Sequence, residues 1–593
     1  MSWIRKITLF FRFLKKKLSH NQFMVLSGIL VGLTAGMASV ILKTIVHYIH
    51  RIYLYDFPFN AGKIGIYFLP LIGILITVFI VQYFFKGNDG RGIANILYDI
   101  ARRSSLVDKI KMYSQVITSG ITVGFGGSSG LEGPIAVTGS AIGSNFARSY
   151  GLNYKDRTLL VAAGGAAGIA GAFNAPITGV MFAMEVLLVG VAISEFIPLI
   201  IAAVCGALCT KVIFNEEILF HFKSLKEFSY YNVFFYVLLG VFCGFLSVYF
   251  ARATHFVEHF FEQMGTRYYK KALIGGLLLA VLCFLFPPLQ GDGYESVKLL
   301  ASNNATALLN GSVWSLNGVS TNFLLLFVLL VGLVKVFATS LTLASGGNGG
   351  TFAPALFTGA FAGNFFASLF NLVGLDKQLP IANFTLVGMA GMLSGVMYAP
   401  LTGIFLIAEI TGGYDLILPL MIVSVSSYVI AHSIEPFSMD TKIMATSGDI
   451  FSSDYDANIL NTIRQAEFVE TEFLQIEPVA SIAALLALFG KSNASMIAVI
   501  DDGDFKGWIT FDDVRSYMFD QEKQTNKTVA DIMRPPRFFV NATDSLHSIM
   551  EKFDSSGLWY LPVLDQTNLI GFISKSDILH NYRKELARHS GKY

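Results

Sequence analysis

The stretch 126-GGSSGLEGPIAVTGSAIG-143 supports two incompatible readings. Gly126, Gly127, Ser128, Ser129 and Gly130 fit the G-x-S-x-G frame that presents a nucleophilic serine in many hydrolases. The same residues also form a glycine-rich turn that ends in Glu132-Gly133-Pro134, a lone carboxylate at the mouth of a helix. The rest of the sequence chooses between them.

Of 593 residues, 53% are hydrophobic and only 14% charged, with a mean hydropathy of +0.58. Soluble domains carry roughly 25% charged residues, so most of this chain lives in lipid. A formal net charge of +2 gives no reason to expect nucleic acid as a partner. The four cysteines, Cys205, Cys209, Cys243 and Cys283, sit in apolar runs without C-x-x-C spacing, which indicates neither a metal site nor a disulfide framework. The N-terminal MSWIRKITLFFRFLKKKLSH is basic and lacks a small-residue cleavage site, so it reads as a retained cytoplasmic, interfacial segment.

Between residues 23 and 436 the chain alternates apolar runs with Gly, Pro and short polar turns. The runs 24–46, 66–85, 231–251 and 322–342 are long enough to cross a bilayer core, which takes roughly 20 residues. The runs 134–148, 158–172, 176–189, 354–370 and 400–411 are shorter and read as helices that start or stop inside the membrane, as in transporters. An internal repeat supports this. The pentads 175-APITG-179 and 399-APLTG-403 lie 224 residues apart, and Pro134 and Pro354 lie 220 apart. Two landmarks at nearly one offset imply a duplicated unit, over about 23–215 and 231–436, of the kind transporters relate by an inverted pseudo-two-fold axis.

Beyond residue 436 charged residues return. The segments 507-GWITFDDVR-515 and 571-GFISKSDIL-579 repeat at 64 residues, each after a β-branched run and before a helix-like one. The tail reads as a soluble pair of α/β modules.

Proline suits the first turn of a helix, and glycines before it leave N–H groups free beside the positive end of the helix dipole. Inside a membrane, 87-GNDGRGIAN-95, 130-GLEGP-134 and 349-GGTFAP-354 therefore make weak anion sites without needing a basic side chain. A carboxylate in such a turn is costly, hence a functional candidate. Ionised Glu132 occupies the place of the anion and protonated Glu132 leaves it, so one residue gates anions and carries a proton. The bland reading of Glu132 is a plain helix cap. The serine-nucleophile reading needs a histidine, and His47, His50, His255, His259 and His432 stand in no recognisable partner motif. The chain is therefore read as no enzyme.

The set GLEGP, FNAPITGVMFAMEV, GGTFAP, YAPLTGIFLIAEITGGYDLILPLMI and the paired tail modules resembles the CLC family of chloride channels and proton-coupled chloride exchangers, over almost the whole chain. The resemblance implies an all-α polytopic fold of two inverted repeats with broken, tilted helices, followed by a cytoplasmic α/β CBS pair. The divisions are 1–22, a basic segment; 23–436, the transport domain; 437–524, linker and first CBS module; and 525–593, the second. It further implies a homodimer with both termini cytoplasmic, and Glu132 as the gating glutamate; with no targeting signal, the plasma membrane is the default location. Thr351 and Phe352 match the residues whose amides face the central anion site; Leu131, Gly133 and Ala353 fall near the outer one.

Some positions depart from the family. Where it usually has a serine contacting the anion, 90-GRGIA-94 puts Arg91 beside Gly92. Arg91 either strengthens anion attraction, the preferred reading, or turns to the vestibule as a solvated charge. Asp440 stands where a pore tyrosine is expected. The internal proton glutamate is replaced by Val186, and Glu185, one residue earlier, faces about 100° away on a helix. Val186 tilts the expectation toward a passive voltage- or pH-gated chloride channel; the alternative is a proton-coupled chloride antiporter, with fluoride or nitrate as less favoured cargo. The family needs no cofactor, but CBS pairs bind adenine nucleotides (ATP, ADP or AMP) in many proteins. The matching positions are Thr510 and Asp513, and Ser574 and Asp577, whose bland reading is helix caps.

Overall fold

The computed structural model describes residues 13–52, 65–87, 92–188, 196–214, 228–309, 312–314, 320–374, 377–446, 468–492, 494–518, 524, 527–541, 544, 546–565 and 568–590. Arg5, Lys6, Arg12 and Arg91 lie outside them. Two compact units divide at residues 451 and 452, further on than the shift of composition at 436 suggests. The first unit keeps one more helix, Met439–Thr446, against Ile93–Arg102.

The membrane unit is helical and doubled. Its first half runs α1 (His20–Arg51), α2 (Leu69–Tyr83), α3 (Ile93–Arg102), α4 (Lys111–Gly124), α5 (Glu132–Ser149), α6 (Tyr154–Phe173), α7 (Pro176–Phe182, prolonged by a wider turn to Leu187) and α8 (Ile197–Phe214). The second half repeats the order as α9 (Val233–Glu262), α10 (Tyr268–Leu285), α11 (Tyr294–Ala301), α12 (Thr321–Ala344), α13 (Phe352–Val373), α14 (Ile381–Met397), α15 (Pro400–Ile410) and α16 (Ile417–Ile434); α17 is Met439–Thr446. Among the described residues seven helices are long and apolar enough to cross a membrane.

Several segments taken as broken by glycine are continuous. Phe352–Val373 has 22 residues and Tyr154–Phe173 has 20. The glycines in them are contact points rather than breaks. A Cβ on Gly139 would strike the Gly164 carbonyl oxygen and one on Gly143 that of Leu160; in the second half Gly359 meets Gly388 and Gly363 meets Phe384 in the same way. Small residues let backbones approach where lipid offers no hydrophobic drive, and α5 on α6, like α13 on α14, uses that device.

The inverted symmetry is visible as reciprocal hydrogen bonds. Gly130 and Gly350, 220 residues apart, pair as antiparallel backbone, with N–H to carbonyl distances of 2.9 and 2.8 Å. The Thr342 hydroxyl accepts the Ser128 N–H (3.1 Å), and the Thr122 hydroxyl accepts the Asn348 N–H (3.0 Å). Glu409 accepts from the Ile177 and Thr178 amides (3.0 and 2.8 Å) at the start of α7; Glu185 accepts from those of Leu401 and Thr402 (2.9 and 2.7 Å) at the start of α15. Each carboxylate neutralises a helix N-terminus of the other half. Lys15 similarly donates to the Tyr150 and Gly151 carbonyls at the end of α5 (2.7 and 3.2 Å).

The second unit holds one three-stranded and one four-stranded sheet. β2 (Leu474–Ile476), β3 (Met496–Asp501) and β4 (Asp504–Thr510) form one sheet; β1 (Val469–Glu470), β7 (Asn568–Ser574), β6 (Tyr560–Asp565) and β5 (Val540–Asn541) form the other, in that order. Each module is a parallel pair joined by a helix, then a hairpin. The modules interleave across the division at 524 and 525: β1 pairs with β7 of the second module, whereas Val529 packs into the first module's core.

Asp513 fixes the start of the helix after β4. Partial burial pushes its carboxyl up, but the Arg534 guanidinium (2.6 Å) and the Thr510 N–H (2.9 Å) outweigh that and hold it below the usual carboxylate range. A depressed carboxyl stabilises the fold above its unfolded pKa, and the contribution fades as pH falls through the folded value. Asp513→Asn is therefore expected to cost the tail about 1 kcal/mol at neutral pH. The difference from the unsubstituted chain should shrink below about pH 4, as read from thermal unfolding against pH.

Candidate functional site

The paired turns 126–130 and 346–350 bring two helix N-termini face to face. α5 begins at Glu132 and α13 at Phe352, each preceded by a residue in helical conformation without a side-chain cap. No other side chain caps either start, and of the first N–H groups that of Glu132 is engaged by its own carboxylate. Pro134 and Pro354 occupy the first turn of each helix, where a missing N–H costs nothing.

Glu132 sits at this junction, only 4% exposed. Its Oε1 accepts the Tyr294 hydroxyl at 2.8 Å, and its buried Oε2 has no hydrogen-bond partner among the described residues. Oε2 lies against Gly130: a Cβ there would collide with it and come within 3.1 Å of the Ala353 amide nitrogen. Leu131 packs beside Leu42, Val116 and Ile135. Phe352 is buried against Phe173 (ring centroids 5.6 Å apart) and Phe182 (6.3 Å), and the Tyr294 ring stands edge-on to Phe173 (6.4 Å). A buried carboxylate in an aromatic collar, with one oxygen free, can be held as an anion or released as an acid.

A cavity of about 610 Å³ reaches this junction. Gly133, Gly350 and Thr351 form part of its wall, with Gly92, Ile93 and Asn95 at the start of α3; Gly92, at φ +81, caps that helix. The starts of α3, α5 and α13 thus border one cavity. α3 is anchored by the buried ion pair of Asp99 with Lys111 of α4 (2.8 Å). The wall also carries Asp440, Glu258, His255, Glu435 and Lys442. Glu435 is engaged by Arg252 (2.8 Å) and Lys442 (2.9 Å).

Of the residues singled out from sequence, Glu132, Gly133, Thr351, Phe352 and Ala353 meet at the junction, and Gly92 and Asp440 line the cavity leading to it. Val186 is 5% exposed inside the core, and Glu185 beside it is committed to α15. Ser128 is fully buried, and its hydroxyl has no hydrogen-bond partner among the described residues. In the tail, Asp513 is taken up by Arg534 and Thr510; Ser574 is 3% exposed with its hydroxyl 2.8 Å from that of Ser576, whereas Asp577 is exposed.

Three features escaped the sequence reading. Tyr294 supplies the hydroxyl on Glu132, and 291-GDGY-294 is a glycine-flanked turn that signalled a constrained backbone. Lys335 is fully buried in α12, and a lone lysine in an apolar run was signal enough. The exchange of caps by Glu185 and Glu409 was encoded by their common place, nine residues after Pro176 and Pro400.

Comparison with known proteins supports the membrane fold and the tail modules. The profile of the family described as "Voltage gated chloride channel" matches residues 72–432, and that of the CBS domain matches 529–584. An uncharacterized protein of Methanocaldococcus jannaschii is 28% identical over 400 residues, covering 67% of this chain and 91% of its own. The H(+)/Cl(-) exchange transporter ClcA of Vibrio cholerae is 28% identical over 447 residues, 71% of this chain and 88% of its own. The crystal structure of a eukaryotic CLC transporter superposes with a TM-score of 0.60 at 18% identity, covering 93% of this chain and 97% of that one.

Proposed function

The chain belongs to the CLC family of voltage-gated chloride channels, and from that premise we propose that it is a proton-coupled chloride antiporter whose exchange runs through Glu132. It is a multi-pass membrane protein of chloride transport. The observation carrying the antiport reading is the seat of Glu132: a buried carboxylate at the junction of two helix starts, with one oxygen unpartnered. Ionised, it fills the place an anion would take; protonated, it has no charge to hold it there. Proton and anion then alternate at one position. The Vibrio cholerae relative, whose printed name is that of an exchanger, supports the same reading.

This reverses the preference for passive conductance drawn from Val186. Position 186 would decide the matter only if a proton needed that side chain to reach Glu132. The cavity touches Gly133, the residue after Glu132, and holds Glu258 and Asp440 in its wall, so water and these acids offer another route. Chloride is the proposed cargo, with fluoride flux as the competing outcome. Reconstituted protein in a chloride gradient should show a reversal potential that moves when a pH gradient is added. Glu132→Gln should keep chloride flux and lose both that movement and the pH dependence of flux; a reversal potential indifferent to pH would refute antiport.

The further parts of the reading follow the family. The resemblance to the family carries a homodimer, and the exposed apolar rows Ile200, Val204 and Leu208 on α8 and Leu418, Met421 and Val425 on α16 are proposed as its face. Cysteines placed at 204 and 425 should cross-link between copies in vesicles if those rows face a second copy; monomeric protein in the bilayer would refute it. In a cell membrane with cytoplasmic termini, protease added outside intact cells should spare the tail. For the CBS pair we propose adenine nucleotide as ligand through the exposed Asp577, since Asp513 is already committed to Arg534 and Ser574 is buried with its hydroxyl on that of Ser576. ATP at millimolar concentration should then bind the full chain and not Asp577→Ala; equal binding by both would refute that site.

A further inference from the structure

Among the described residues Glu132 meets one side-chain donor, and that donor comes from the opposite half of the membrane unit. The Tyr294 hydroxyl lies 2.8 Å from Oε1. It gets there because residues 289–294 are clamped from both sides. Gly291 donates its N–H to the Gly126 carbonyl (3.0 Å), in the same turn that leads to Glu132. From the other side Lys335 donates to the carbonyls of Leu289 (3.1 Å) and Gly291 (2.9 Å), with its ammonium 4.7 Å from the Phe357 ring centroid. Gly293 turns the chain at φ +86, where a Cβ would strike that same ring, and Asp292 accepts the Tyr294 N–H (3.2 Å).

A fully buried lysine spent on two carbonyls is expensive to keep. It is understandable if what those carbonyls position has to be exact in place. The repeat points the same way. α3 and α11 are equivalent third helices; the start of α3 lines the cavity, whereas the start of α11 carries Tyr294 onto Glu132 and is no part of the cavity wall. The inverted copy of an anion-facing helix start has become the support of the carboxylate.

We propose that Tyr294 is the latch of Glu132: its hydroxyl holds the ionised carboxylate in the seat and thereby sets the pH at which the gate opens. This rests on Glu132 being the gate, and not on whether transport is coupled to protons. An O–H···O⁻ bond is roughly twice as strong as its neutral counterpart, so donation to the ionised form favours it and opposes protonation. Losing the donor moves protonation, and with it opening, to higher pH. The charged groups acting on the pair are Asp292 of the loop and Lys43 of α1; Lys335 of α12, His50 of α1 and Glu295 of α11 act in turn on Asp292. A change confined to the phenol leaves all of them in place.

The test is chloride efflux from proteoliposomes as a function of pH, with the full chain. Tyr294→Phe should raise the pH of half-maximal flux by about one unit and increase flux at neutral pH several-fold. Tyr294 replaced by 3-fluorotyrosine keeps shape and packing but donates more strongly, so its midpoint should fall. In a Glu132→Gln background both changes should be silent. Midpoints that do not move, or that move alike in both variants, overturn the latch. If Tyr294→Phe fails to fold, the fluorinated protein decides alone. A reversal potential blind to pH alongside shifted midpoints would sink proton coupling and leave the latch standing.

Discussion

The two hydrogen bonds between Gly130 and Gly350 are the constraint on which the membrane unit depends. They join residues that are equivalent in the duplication, so the pseudo-two-fold axis passes between them. Antiparallel pairing is what such an axis demands of two copies of one strand segment. Backbones this close leave no room for side chains: a Cβ on Gly350 would lie 2.9 Å from the Gly133 amide nitrogen, and one on Gly349 would collide with Ser129. Glycine is therefore required by space at the junction, and the amides of α5 and α13 face a common point as a consequence.

That point would drift if the helices behind it could slide. Three devices hold them. Glycine contacts seat α5 on α6 and α13 on α14 at backbone distance. Threonine hydroxyls of α4 and α12 each support the turn of the opposite half. The carboxylates Glu185 and Glu409 each close the N-terminus of a helix across the axis. An unpaired carboxylate at membrane depth would be costly; here each lies on two amides and a threonine hydroxyl, so it acts as structure.

The duplication was legible because two proline landmarks share an offset, and Glu132 was legible because a carboxylate between glycines and proline in an apolar run has no cheap explanation. Helix lengths were less so. Glycine in a membrane helix has two meanings, break and contact, and Gly139, Gly164, Gly359 and Gly388 have the second, which depends on a partner far along the chain. Tyr294 is 162 residues from Glu132, and no local pattern joins them. Glu185 shows a further limit. Helical spacing said that it faces away from Val186, but that it reaches Thr402 follows only from the packing of α7 on α15.

A strict two-fold would make the junction useless. Glu132 and Phe352 are equivalent positions 220 residues apart. Two carboxylates there would share one buried site, and like charges so close raise the cost of ionising either. One copy keeps the carboxylate; the other has a phenylalanine, buried against Phe173 and Phe182. The same divergence separates Gln115 from Lys335, again 220 apart. Gln115 accepts from Asn348 (2.9 Å) and so braces the turn before α13, while Lys335 braces the loop that carries Tyr294. Duplication supplied the converging helix starts. The departures from symmetry made one side of the junction titratable and gave that side its own support.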